Sequence, residues 1–220
     1  MNKELFNRII SSLILLPTVF VIFYEGSIIL NFFLLICFII SIAEWNNLSK
    51  NFFVKFCGAL FLFISFCSIF FIRNMTDFNL NIEYLMLILS VCICTDTGGF
   101  IFGKFFKGPK LTKISPNKTY SGVVGSFICP IVIISSLVVL FEKEQNIILL
   151  FNTNTYFLIF IIFISFVSQC GDLLISFFKR LSQKKDTGKI IPGHGGLLDR
   201  IDGMIFAFPF AYLAYYLFLL

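Results

Sequence analysis

The residues best suited to chemistry crowd into one stretch, Ser176 to Asp202, which reads SFFKRLSQKKDTGKIIPGHGGLLDRID. It combines charge, glycine and the only histidine of the chain. Asp199 and Asp202 are spaced i, i+3 at the start of an apolar run. Carboxylates there suit a helix dipole, and they also suit Mg²⁺, which takes oxygen ligands and is commonly held by one or two carboxylates plus substrate phosphates. Just upstream, Asp172, Ser176 and Lys179 are spaced i, i+4, i+7, so one helix face carries all three. Gly193, His194, Gly195 and Gly196 follow Pro192; glycines of this density let main-chain N–H groups approach an anion closely.

A second polar patch lies further upstream. Asp96-Thr97-Gly98-Gly99 is followed by Lys113-Ile114-Ser115-Pro116-Asn117-Lys118-Thr119. Lysines interleaved with hydroxyl and amide side chains suit phosphate recognition. Taken singly, each patch also fits a helix cap, a turn or a solvated loop. Taken together they supply carboxylates for a cation, a glycine loop and lysines for a polyanion. Those are the parts of phosphoryl and nucleotidyl transfer, where positioning and charge neutralisation dominate.

The elements that must hold these residues are almost wholly apolar. The chain is 58% hydrophobic and 13% charged, with 32 phenylalanines, whereas a soluble domain is about a quarter charged. The apolar runs are long and do not alternate with period two, so the expected fold is all-α, a polytopic membrane bundle of about seven to eight transmembrane helices. Expected spans are Ile9–Tyr24, Ser27–Ile42, Phe56–Ile72, Leu80–Cys94, Gly122–Phe141, Tyr156–Leu174 and Met204–Leu220. Ile9–Tyr24 is read as a membrane helix rather than a signal peptide, since no small-x-small site follows it. Phe100–Phe106 is too short to cross and is expected to lie in the interface or to re-enter. Residues 1–95 and 96–220 form one integral unit, the second part carrying the chemistry. The seven cysteines sit in or beside apolar runs without CxxC spacing, as small buried hydrophobes do.

Charge orients the bundle. With a cytoplasmic N-terminus, all of the 17 Lys and Arg residues except Arg73 and Lys143 fall on the cytoplasmic side, a positive-inside pattern. The net charge of +5 is therefore a topology signal with lipid headgroups as partners, not a nucleic-acid footprint. Ionisable residues gather at span ends on one side rather than at mid-bilayer, where transporters place them. This suits an enzyme that meets one substrate from the cytosol and another in the membrane.

Ser176-x-Phe178-Lys179-Arg180, then Lys185-Asp186-x-Gly188, then Ile191-Pro192-x-His194-Gly195-Gly196-Leu197-x-Asp199-Arg200-Ile201-Asp202 resembles the full signature of phosphatidate cytidylyltransferases, the CDP-diacylglycerol synthases. Asp96-Thr97-Gly98, Ser115 to Thr119 and Gly171-Asp172-Leu173 extend the resemblance; the N-terminal half shares mainly hydropathy and Glu44-Trp45. The resemblance implies the reaction of CTP with phosphatidate to give CDP-diacylglycerol and pyrophosphate, at the cytoplasmic face of the cell's inner (plasma) membrane, by a homodimer. It implies Mg²⁺ with K⁺, with Asp172 and Asp199 as metal ligands and Ser176 and Lys179 in the same site. Asp186, His194, Arg200 and Asp202 complete the expected catalytic set, His194 as an orienting or leaving-group contact. Asp96, Lys113, Ser115, Lys118, Thr119, Arg180, Lys185, Gly195 and Gly196 are expected to bind substrate. The chain departs from the pattern at Ile175, where Glu is usual, at Tyr120-Ser121, where Trp-Glu is common, and at Gly203, where Ser is frequent. A CTP-dependent lipid kinase, a transporter and an inactive scaffold are the competing readings; the first would release CDP instead of pyrophosphate.

Overall fold

The computed structural model describes residues 17–74, 78–112, 115, 117–140, 154–190 and 195–218. The described residues are helical apart from loops and an isolated antiparallel bridge between Lys110 and Thr119. Residues 17–25 form α1. Then come α2 (Ser27–Asn46), α3 (Phe52–Arg73), α4 (Phe78–Phe106), α5 (Tyr120–Leu140), α6 (Asn154–Leu181), the single turn α7 (Leu198–Ile201) and α8 (Met204–Phe218). Helices dominate because hydrocarbon leaves each backbone group only its own helix as a partner.

Among the described residues, five helices are long and apolar enough to cross a membrane: Ile28–Asn46, Phe52–Arg73, Asn81–Phe106, Tyr120–Leu137 and Thr155–Leu181; Met204–Tyr216 is apolar but shorter. This is a multi-pass membrane protein. Large apolar side chains such as Phe32, Phe53, Val132 and Phe166 face outward, as they do where lipid rather than water surrounds the bundle.

The helix ends differ from the expected spans. Phe100–Phe106 is no separate interfacial segment; it continues α4 without a break. The extension is held by close backbone packing on α5. A Cβ on Gly98 would lie 2.6 Å from the Gly125 carbonyl oxygen, and one on Gly122 would lie 2.8 Å from that of Gly99. Small residues let two membrane helices approach this closely. The α4–α5 hairpin thereby fixes the loop carrying Ser115 to Thr119. Thr119 caps α5, its Oγ1 accepting from Gly122 N at 3.1 Å, and Leu111 N donates to the Lys118 carbonyl at 2.8 Å.

Polar ties lock the remaining helices. Tyr84 Oη on α4 donates to the Ala211 carbonyl on α8 at 2.7 Å. Ser65 Oγ on α3 donates to Ile205 at 2.7 Å, and Thr95 on α4 meets Ser165 on α6 at 3.0 Å. Each such bond contributes about 1 kcal/mol between membrane helices. The result is a bundle in which α4, α6 and α8 share a core, with the polar ends of α2, α4 and α6 gathered beside α7.

Candidate active site

α6 outruns its apolar stretch and projects a polar last turn. It ends at Leu181 in a Schellman-type cap: Gln183 takes a left-handed conformation, φ 56°, and Lys184 N donates to the Lys179 carbonyl at 2.9 Å. On this turn Ser176 Oγ donates to Asp172 Oδ1 at 3.3 Å. Lys179, buried, donates to Asp199 Oδ1 at 2.9 Å. The spacing read from the sequence thus yields one working face. Ile175, where the resemblance leads one to expect Glu, is 3% exposed and belongs to the apolar core.

Asp199 organises the glycine loop as well. Its Oδ2 accepts from Thr187 N at 2.8 Å and Gly196 N at 2.9 Å. Gly195 takes φ 87°, a conformation glycine adopts without strain, and a Cβ there would sit 2.9 Å from Asp199 Oδ2 and 3.3 Å from Asp186 Cβ. Asp186 itself is exposed, as are Lys185 and Arg180; Arg180 Nη1 donates to the Lys184 carbonyl at 3.3 Å.

Glu44, near the C-terminus of α2, is the residue that motif reading assigned no role. It is 3% exposed. Its Oε1 accepts from Leu197 N at 2.9 Å; its Oε2 accepts from Leu198 N and Thr187 Oγ1, each at 2.8 Å. A buried carboxylate near a helix C-terminus is doubly disfavoured, by desolvation and by the dipole, and these three donors offset that cost. Glu44 therefore latches both ends of the glycine loop to the bundle. Gly188 and Gly196 accommodate it: a Cβ on either would fall 2.5 Å from a Glu44 carboxylate oxygen.

Beside this latch lies a charged cluster. Asp172 forms an ion pair with Lys118. Asp96, at the exposed edge of α4, is within electrostatic reach of Asp172, Lys118 and Arg200. Asp202 is buried, and burial, then the nearby Asp172 and Asp96, pushes its carboxyl well above the usual carboxylate range, opposed by Lys179 and the Gly203 N–H. The structure thus brings Asp96, Asp172, Asp202, Lys118, Lys179 and Arg200 together, with Asp199 joined through Lys179. Ser115 and Thr119 shape the loop that presents Lys118: Lys118 N donates to the Ser115 carbonyl at 3.1 Å. His194 and Lys113 lie outside the described residues.

The donor set fits a hard divalent cation. Its oxygens are carboxylates, and no group of three or more His, Cys, Asp or Glu side chains among the described residues is placed to hold a metal alone. Mg²⁺ is commonly bound that way, by one or two carboxylates with substrate phosphates supplying the rest. Asp172, one-quarter exposed, is the accessible carboxylate; Asp199 already accepts three hydrogen bonds.

The model of the cytidylyltransferase family matches residues 49–218, which include every site element except Glu44. The chain belongs to the cytidylyltransferase family. Among its relatives is the phosphatidate cytidylyltransferase of Staphylococcus haemolyticus (strain JCSC1435), 36% identical over 172 residues, covering 76% of this chain and 62% of that protein. That of Staphylococcus saprophyticus (strain ATCC 15305) is 38% identical over 169 residues, with the same coverage. That of Staphylococcus aureus (strain COL) is 33% identical over 174 residues, 76% of this chain and 63% of that protein. The chain therefore spans about three-fifths of the length of these cytidylyltransferases.

Proposed function

We propose that this chain transfers a cytidylyl group from CTP to phosphatidate, yielding CDP-diacylglycerol and pyrophosphate, in the pathway to phospholipids. One observation carries the reading: three aspartates and three cations converge at one end of a membrane bundle. That is where a soluble triphosphate and a membrane phosphomonoester can meet. The family and its named relatives support the same chemistry.

A phosphatidate oxygen, already anionic near neutral pH, attacks the α-phosphorus of CTP; the new P–O bond forms as the bond to pyrophosphate breaks. No strong general base is required. Lys118 and Arg200 neutralise phosphate charge. Asp172 and Asp199 would hold Mg²⁺, which would supply charge neutralisation between two polyanions. The positive-inside bias of the loops supports a cytoplasmic orientation for this end of the bundle, in the inner membrane, and the family resemblance supports a homodimer.

Purified protein incubated with α-labelled CTP, phosphatidate and Mg²⁺ is expected to put label into lipid and release pyrophosphate. Label remaining in CDP would instead identify a lipid kinase, and no lipid product at all would leave a scaffold.

A further inference from the structure

Behind the charged cluster lies a cavity of about 380 Å³, within the range of small-molecule sites. Its rim carries Asp96, Thr97 and Arg200, and its depth is walled by side chains such as Leu89, Ile69 and Phe208. Asp96 to Leu89 spans seven residues of α4, about 10 Å along the axis. The deep wall offers water few partners: the Ser65 hydroxyl there is already given to Ile205 at 2.7 Å. Such a space stays dry and takes an apolar guest.

We propose that this cavity receives the headgroup-proximal half of one acyl chain of the lipid substrate, along the wall that includes Leu89 and Phe208. This rests on the cytidylyl-transfer reading and extends it. The occupant follows from continuity. Asp96 and Arg200 belong both to the charged cluster and to the cavity rim, so a lipid whose tail fills the cavity carries its phosphate into the cluster. Arg200 supplies the complementary charge at the point where tail meets headgroup. The second chain stays in the bilayer.

The test uses phosphatidate bearing a diazirine midway along one acyl chain, with the full-length protein in nanodiscs and no CTP. Adducts are expected on the cavity wall and are displaced by excess plain phosphatidate. Leu89→Trp fills the space and is expected to cut them about tenfold. Phe208→Ala enlarges it and is expected to raise labelling by a probe whose diazirine lies nearer the methyl end; this variant decides the matter if Leu89→Trp fails to insert. Adducts confined to outward residues such as Phe32 and Leu35, or unchanged in both variants, overturn the proposal. Equal labelling by a phosphatidylcholine probe overturns the assignment to the substrate. In turnover, Leu89→Trp is expected to raise KM for dioleoyl phosphatidate about tenfold while sparing dihexanoyl phosphatidate. Absence of turnover in the unmodified protein would count against the cytidylyl-transfer reading alone, since labelling needs no chemistry.

Discussion

Glu44 and Thr187 stand 143 residues apart in sequence, yet the Thr187 hydroxyl donates to Glu44 Oε2 at 2.8 Å in a buried contact. The glycine loop is thus anchored by a carboxylate from α2 as well as by Asp199. Glu44→Gln keeps the shape and replaces one acceptor by an NH₂ that faces a backbone N–H. It is expected to lower stability by about 2 kcal/mol, and to open the 184–197 segment to proteolysis. Unfolding in detergent and limited proteolysis measure both; a variant as resistant as the parent would show that the latch is dispensable.

Lys118 and Asp172 form the second long-range contact of the site. When a triphosphate binds, Lys118 has a better partner than a single carboxylate, and Asp172 becomes available to a cation. Lys118→Gln is expected to raise KM for CTP about tenfold with a smaller effect on kcat, the loss of one charge-assisted bond. Asp172→Asn is expected to lower kcat at least about a hundredfold while leaving membrane insertion intact. Steady-state kinetics with each substrate varied in turn separate these; an unchanged kcat in Asp172→Asn would remove that residue from the catalytic set.

Much of this architecture is legible in the sequence, and what is not has a physical cause. Apolar runs mark where hydrocarbon lies, not where a helix stops, so α4 continues past Asp96 to Phe106 and α6 past the lipid-facing stretch to Leu181. The face of Asp172, Ser176 and Lys179 follows from helical spacing alone. Asp199 to Asp202 stands out because carboxylates are costly beside an apolar helix. Glu44 carries no comparable signal: one carboxylate at a span end looks like a membrane boundary, and its partners are contributed by a distant loop. The pairing of Lys118 with Asp172 depends on the glycine packing of α4 on α5, a tertiary fact that no local pattern encodes.

That packing gives a graded prediction. A Cβ at Gly98 would meet Cys129 Cβ at 2.4 Å and the Gly125 carbonyl at 2.6 Å, whereas at Gly99 the nearest atoms are 3.6 Å away. Gly98→Ala is expected to push the two helices apart, costing about 1–3 kcal/mol, and to weaken CTP binding by displacing Lys118. Gly99→Ala is expected to be tolerated. Thermal unfolding and CTP titration of the two variants, side by side, check the contrast; equal behaviour would mean the helices separate freely.

Asp202 sets the expected pH response. Burial, Asp172 and Asp96 hold its carboxyl well above the usual carboxylate range, while the unfolded chain returns it to about 3.9. A raised folded value means that the folded state binds the proton more tightly. The associated stability is complete below the unfolded value and is lost as pH rises through the folded one. At pH 8, above the unfolded value, burying this carboxyl therefore opposes folding. Asp202→Asn removes that opposition and is expected to raise Tm at pH 8 in the presence of a chelator, by an amount that shrinks as pH falls towards 4. The same variant is expected to lose activity, because the cluster loses one of its carboxylates. Tm measured across pH 4–8 checks the sign; a Tm deficit at pH 8 that fades towards pH 4 would show that Asp202 is stabilised as an anion by Lys179 rather than strained by its neighbours.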